Sequence, residues 1–351
     1  MTEERPNSRK KNQRPTLRDV ARLAGVGTTT VSRVINGGHY VDPVTMSKVQ
    51  SVIQRLGYQP SHAARALKGE RTYSIGMIIP TLVDPFFANL ASVIQKIAKQ
   101  KNYILIVLAS EDDALQECAD IDRFRSYRVD GMLVVPPRVQ TQRFLSAIKS
   151  LAIPTVAMDR PLEARCSSVV CDNFEAAKGA VQHLLAHGRR RILCLGGDPD
   201  LYTIQERVRG YEAAIAEARL KSYVLTGTDP LQLKAELKKR LASANANERM
   251  DAIFAVHGDA SITAYEFLID SSRKIPGEVA LIGFDEFPLA GTLRPTLSVI
   301  RQPINELGTA AARILFDQIE GDQRTSCKLT VATEFVPRMS CGCESRRKHQ
   351  A

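Results

Sequence analysis

Between Thr28 and Asn36 the polar side chains Thr28, Thr29, Ser32, Arg33 and Asn36 alternate at helical spacing with Val31, Val34 and Ile35. Hydroxyls and an amide that both donate and accept, beside a guanidinium fork, suit base edges and phosphates in a DNA major groove. A second set, scattered along the chain, suits another kind of ligand. Asp84, Phe86 and Phe87, then Asp159 with Arg160, Arg207, His257 with Asp259, and Asp285 follow short apolar runs. Carboxylates accept from sugar hydroxyls, guanidinium forks donate to them, and an aromatic ring packs on the apolar face of a pyranose. For Asp285 alone, helix capping or hinge support is the preferred reading.

No catalytic constellation accompanies these residues. The chain has no Gly-x-Gly-x-x-Gly after a strand, no Walker A lysine loop and no nucleophile-elbow serine, so neither enzyme activity nor a cofactor is expected. His257, without a nucleophile or metal partners, is assigned a binding role or none. His183 and His187 share a helix face at i, i+4, yet no further ligands lie at matching spacing, and they read as surface or packing residues. Cys341-Gly342-Cys343 lacks a neighbouring second pair and reads as reduced thiols near the C-terminal end, so no metal is expected.

The elements that must position the first set are short helices. Thr16 followed by Asp19 is a capping-box-like start for a helix from Leu17, with Val20, Leu23 and Ala24 on one face. Ala24-Gly25-Val26 is the turn, and a second helix starts at Gly27 or Thr28, bringing Thr30 into the same outward segment. A third follows from Asp42 as cap and Pro43 at its first position, with Val44, Val49, Val52, Ile53 and Leu56 as its apolar stripe and Gly57 as its end. Residues 16–59 are therefore expected to form a helix-turn-helix headpiece, a packing-only helical hairpin being the plainer alternative.

Residues 60–71 are expected to be a hinge. Ser61 after Pro60 can cap a helix ending at Gly69 that is too short to stand alone, and Leu67 beside Arg65 and Lys68 offers an apolar wedge with cations for the minor groove. Composition by itself favours an ordinary linker.

The second set needs strands. Apolar runs at Ser74–Ile79, Tyr103–Leu108, Gly131–Val135, Thr155–Met158, Ser168–Cys171, Arg191–Leu195, Ala252–Val256 and Val279–Phe284 alternate with helix-length segments. That pattern predicts an α/β fold with parallel, doubly wound sheets covered on both faces. Residues 72–343 are too long for one such unit, so two subdomains are expected, the sheet changing within Pro154–Asp172 and a ligand cleft at the strand ends.

Charge supports this division of labour. The 351 residues carry a net charge of +10, and residues 1–70 hold 12 Lys/Arg against 5 Asp/Glu while the remaining 281 hold 36 against 33. The excess thus sits with the helix-turn-helix, where it favours salt-sensitive binding to phosphates. Residues 1–15 are expected to be a basic disordered tail, and no run has the length of a membrane span or signal-peptide core, which predicts a cytoplasmic protein. Seven cysteines, an odd number, argue against a complete disulfide framework.

From Thr16 to Cys343 the chain resembles the LacI/GalR family of transcriptional repressors. The resemblance rests on Asp19-Val20-Ala21-Arg22-Leu23-Ala24-Gly25-Val26, Thr30-Val31-Ser32-Arg33-Val34-Ile35-Asn36 and Leu56-Gly57-Tyr58-Gln59-Pro60, then on Pro85-Phe86-Phe87, Asp130-Gly131, Asp159-Arg160, Gly283-Phe284-Asp285 and Arg301-Gln302-Pro303. It implies a homodimer on a pseudo-palindromic double-stranded operator, with Thr28, Thr29 and Arg33 in the groove and Leu67 wedged into the minor groove. It also implies a core like a periplasmic sugar-binding protein, in which Phe86, Asp159, Arg160, Arg207 and Asp259 line the effector cleft. Gly27 stands where a Ser cap is usual, and His257-Gly258-Asp259 where Asn-Asp is usual. The second departure leaves a sugar, a sugar acid and a sugar phosphate all open as effector. Glu344 to Ala351 contain no leucine heptads, so they are expected to be a tail without a tetramerising role.

Overall fold

In the computed structural model, which describes residues 15–35, 41–58, 71–164, 166–242, 249–321 and 326–343, the chain divides into two compact units, residues 1–72 and 73–351. Expectations placed on residues 1–14, Asn36, the segment 59–70 with Leu67 and Lys68, and residues 344–351 lie outside the described residues.

The first unit is built on α1 (Leu17–Ala24), α2 (Thr28–Ile35) and α3 (Pro43–Leu56). Thr16 starts α1 with a reciprocal capping box. Its hydroxyl accepts from the Asp19 amide at 3.3 Å, and the Asp19 carboxylate accepts from the Thr16 amide at 3.0 Å. Gly25 ends α1 at φ +65°, where a side chain would be strained. Asp42 caps α3 through the Thr45 amide at 2.9 Å, with Pro43 in the first turn.

Val20, Ala24, Val31, Val34, Val49 and Val52 form the small core of this unit. Two expected members are absent from it. Leu23 is 44% exposed, because the buried stripe of α1 runs through Leu17, Val20, Ala21 and Ala24 and leaves Leu23 on its flank. Val44 is 77% exposed in the first turn of α3, and Met46 packs in its place.

The second unit holds two lobes, each a doubly wound sheet. Lobe 1 contains β1 (Ser74–Ile79), β2 (Ile104–Ala109), β3 (Gly131–Val134), β4 (Thr155–Met158), β5 (Ser167–Cys171) and β11 (Lys328–Val331), all parallel, in the order β11-β5-β4-β3-β1-β2. α4 (Pro85–Gln100) and α11 (Ile304–Ile319) cover one face, and α5 (Ala114–Tyr127) and α6 (Gln142–Leu151) the other. Lobe 2 contains β6 (Ile192–Leu195), β7 (Tyr223–Leu225), β8 (Ala252–Ala255), β9 (Ala280–Phe284), β10 (Ser298–Arg301) and β12 (Glu334–Val336) in the order β12-β10-β9-β8-β6-β7. Only the β10–β12 edge is antiparallel among these pairs. α7 (Asn173–Ala186) and α8 (Tyr202–Glu217) cover one face, and α9 (Pro230–Leu241) and α10 (Gly258–Asp270) the other.

The lobes are interleaved rather than consecutive. The chain crosses after β5 at Asp172, returns between β10 and α11 at Gln302-Pro303, and crosses again between β11 and β12. Asp172 Oδ1 accepts from the Thr333 amide at 2.8 Å, which ties the first crossing to the third. Sequence patterning anticipates only the first crossing. It also misses β7, β10, β11 and β12, since β7 and β12 have three residues each, β11 is mostly exposed and β10 has only Val299 and Ile300 as apolar residues, so none is a long apolar run.

Candidate functional site

In the first unit Thr28, Thr29 and Arg33 are exposed, Thr30 and Ser32 half-buried, and Val31 and Val34 turned into the core. The Gly27 carbonyl accepts from the Thr30 and Val31 amides at 3.0 and 3.2 Å, so α2 starts without a side-chain cap. No acidic residue occupies its first turn. The positive end of α2 and Arg33 therefore present one cationic face to an anion. The Thr16 hydroxyl donates to Asp19 Oδ2 at 2.6 Å and is engaged within its own cap.

In the second unit a cleft of about 720 Å³ opens between the lobes at the carboxyl ends of their strands. Asp84, Phe86, Phe87, Arg160, His257, Asp259 and Asp285 line it. Asp84 caps α4 by accepting from the Phe86 amide at 2.9 Å, which sets the Phe86 and Phe87 rings edge to face with centroids 5.0 Å apart. Arg160 pairs with the Asp112 carboxylate and donates to the Pro136 carbonyl at 2.9 Å. His257 caps α10, its Nδ1 accepting from the Asp259 amide at 3.3 Å.

Asp285 sits in left-handed backbone at φ +72° directly after β9. It accepts from Gln302 Nε2 at 2.6 Å and from the Gly258 amide at 3.2 Å. The carboxylate thus fastens the start of α10 to the second crossing.

Asp159 and Arg207 do not line the cleft wall as expected. Arg207 lies in the second turn of α8 and is only 2% exposed. Its guanidinium carbon stands 3.5 Å from the Phe284 ring centroid, its Nε donates to Asn173 Oδ1 at 2.8 Å, and it also donates to the Val256 carbonyl at 2.8 Å. Asp159, at φ +64° after β4, is buried beside Arg160 at 3.6 Å. The two residues form an interior layer behind the wall because helical and strand-end geometry turns them toward the sheets.

Burial is the chief electrostatic influence on this layer. It raises the Asp84 and Asp159 carboxyls above the ordinary range and lowers the Arg207 guanidinium, against the mutual attraction of Arg207 with Asp285 and Asp159. The wall itself is acidic, with seven carboxylates (Asp84, Asp112, Asp259, Asp285, Glu286, Glu306 and Glu334) against Arg160 and Arg301. Both arginines already have carboxylate partners. Arg160 holds Asp112, and Arg301 bridges Glu286 at 3.1 Å and Glu334 at 2.8 Å.

Asp112, Gln302 and Arg301 are among the wall residues that sequence reasoning missed, with Glu286, Glu306 and Glu334. Asp112 follows β2 closely, so the strand-end rule applied to Asp84 and Asp159 would have found it. Arg301 ends β10 and Gln302 follows it, and only Val299 and Ile300 of that strand are apolar. The structure also brings the two pairs together, placing Cys341 and Cys343 against His183 and His187. More than a hundred and fifty residues separate the pairs, and spacing rules cannot bridge that distance.

Comparison with known proteins places both units. Residues 72–338 match the model of periplasmic binding proteins and the sugar binding domain of the LacI family, and residues 16–61 match that of bacterial regulatory proteins of the lacI family. The HTH-type transcriptional repressor PurR of Aliivibrio fischeri (strain MJ11) is 30% identical over 93% of this chain and 98% of its own length. The ribose operon repressor of Escherichia coli (strain K12) is 32% identical over 87% of this chain and 93% of its own. Among solved structures, the transcriptional regulator CelR in complex with cellobiose aligns with a TM-score of 0.69 at 28% identity, over 93% of this chain and all of that one.

Proposed function

The chain belongs to the LacI family of bacterial regulatory proteins, and from that premise we propose that it is an operator-binding repressor controlled by a neutral, polyhydroxylated sugar held between its lobes. The observation that carries the choice of ligand is the acidic wall whose two arginines are already neutralised. An anionic sugar acid or sugar phosphate would meet the carboxylates of Asp84 and Glu306, which hold no ion pair among the described residues, whereas hydroxyl groups find acceptors there. Phe86 and Phe87 supply the apolar face against which a sugar ring packs. The cellobiose bound by CelR and the ribose operon named for the Escherichia coli relative agree with such a ligand.

On the DNA side, Thr28, Thr29 and Arg33 read base edges, with Thr30, Ser32 and Asn36 supporting them, while Thr16 positions α1 at the backbone. Two headpieces of a homodimer engage the two halves of a pseudo-palindrome, and Leu67 with Lys68 marks its centre. In the core, Asp159 and Arg207 form the layer that reports ligand to the rest of the lobe, and His257 and Asp259 border the bound sugar. Effector binding shifts the balance between lobe arrangements, and the change in operator affinity is limited by the difference in effector affinity between them. Among the described residues no helix is long and apolar enough to cross a membrane.

Thermal denaturation of the full chain with neutral pentoses, hexoses and disaccharides, sugar acids and sugar phosphates tests the ligand class. A neutral sugar at a hundred times its dissociation constant is expected to stabilise the protein by ~2.7 kcal/mol. Stabilisation by sugar acids or phosphates alone would overturn the assignment.

A further inference from the structure

We propose that His183, His187, Cys341 and Cys343 form a tetrahedral zinc site that fastens the C-terminal segment to the end of α7. His183 Nε2 lies 3.3 Å from Cys341 Sγ and 3.4 Å from Cys343 Sγ, and His187 Nε2 lies 3.6 Å from Cys343 Sγ. With metal–nitrogen and metal–sulfur bonds of about 2.0–2.1 and 2.3 Å, tetrahedral angles put a nitrogen and a sulfur ligand about 3.5 Å apart. The three measured separations match three of the six edges of one coordination tetrahedron, and the exposed His187 side chain completes it by turning toward the other donors. The donor atoms of His183, Cys341 and Cys343 also lie within 4.8 Å of one another.

The surroundings orient these donors. His187 Nδ1 is 2.9 Å from the His183 carbonyl, an arrangement in which Nδ1–H donates and Nε2 is left as the ligand. The His183 ring meets Phe335 edge to face at 4.7 Å, which restrains it from the opposite side. Gly342 allows the Cys-Gly-Cys segment to fold both sulfurs toward α7, with φ at +106°. A Cβ at that position would stand 3.2 Å from His187 Cδ2, so both its backbone and its lack of a side chain serve the close approach.

The thiol segment is anchored independently of α7. Ser340 Oγ donates to the Leu281 carbonyl at 2.6 Å and accepts from the Ser298 amide at 2.8 Å, while Arg338 holds Glu286 at 2.7 Å. Two imidazoles and two thiols in tetrahedral array are a zinc ligand set rather than one for magnesium or calcium. Each thiol releases its proton to solvent as its sulfur–metal bond forms, and no electron is transferred. Bound zinc would close lobe 2 across α7 and the segment whose Arg338 reaches the cleft residue Glu286.

Cobalt(II) titration of the reduced, chelator-treated full chain tests the site. One cobalt per chain is expected, with tetrahedral visible bands and thiolate charge-transfer absorption that zinc then abolishes. Cys341→Ser/Cys343→Ser is expected to remove the charge-transfer bands. His187→Ala, which changes an exposed residue and keeps the fold by circular dichroism, is expected to weaken cobalt binding by at least roughly tenfold, since even outer-shell partners contribute that much. Three results would overturn the proposal. These are octahedral spectra without charge transfer, undiminished tetrahedral binding in the variants, or a Cys341–Cys343 disulfide that takes up no metal after reduction.

Discussion

The headpiece and the cleft place functional side chains by opposite means. In the headpiece each element is fixed by neighbours a few residues away: Thr16 with Asp19, Gly25 in its turn, Asp42 with Thr45. In the cleft the determining contacts are distant in sequence, such as Arg207 with Asn173 and Val256 or Gln302 with Asp285. Damage to a headpiece signal should therefore stay local and small, whereas damage behind the cleft should propagate through a buried charge layer.

The largest effect is expected behind the cleft. Arg207→Leu removes the cation facing Asp159 and Asp285 and should lower the stability of the second unit by about 3–5 kcal/mol, since it leaves Asp159 with Arg160 alone and Asp285 without its facing cation. Urea unfolding followed by core tyrosine fluorescence measures this. A loss below about 1 kcal/mol would show that the layer does not act as a unit.

Glu117 gives the next effect, through pH. Its carboxyl is buried at the base of α5, where it accepts from Ser110 Oγ at 3.0 Å, and burial pushes it up from 4.5 to about 8. A carboxyl raised on folding favours the protonated native state. Its contribution is full below pH 4.5 and is lost as pH rises to about 8. Glu117→Gln should flatten that part of the stability–pH profile by a few kcal/mol relative to the parent chain. Parallel profiles for the two proteins would contradict the assignment.

Arg33→Ala probes the headpiece surface and should cost about 1–3 kcal/mol in specific operator affinity, with a smaller effect on non-specific duplex. Equal losses on both, measured by fluorescence anisotropy, would make Arg33 a phosphate contact rather than a reader. The smallest change is Thr16→Ala. Loss of this cap should destabilise the headpiece by about 1 kcal/mol and leave sugar-induced stabilisation of the core unchanged. A change in sugar response would break the distinction between local and propagated damage.

The same distinction explains what was legible in the sequence. Caps and glycine turns are local, so α1, α2 and α3 could be read almost to the residue. The apolar strands at Ser74, Thr155 and Ala280 were readable for a similar reason, because burial on both faces leaves a continuous apolar run. Which sheet a strand joins is not a local property. The interleaving through β10, β11 and β12 therefore escaped, and with it the places of Arg301 and Gln302 in the wall. Arg207 and Asp159 were picked out by type and position, but their depth depends on packing between α8, Phe284 and Asn173 that no spacing rule encodes. The convergence of His183 and His187 with Cys341 and Cys343 is the extreme case, since each half is unremarkable alone.

The central claim is that occupation of the cleft by a neutral sugar changes how the helix-turn-helix holds DNA. Its most direct test is an anisotropy titration of a palindromic duplex, recovered by selection on the full-length protein, with and without a saturating concentration of the sugar that stabilises it most. The account predicts a shift in dissociation constant of at least about fivefold. An unchanged constant with the cleft saturated would contradict it.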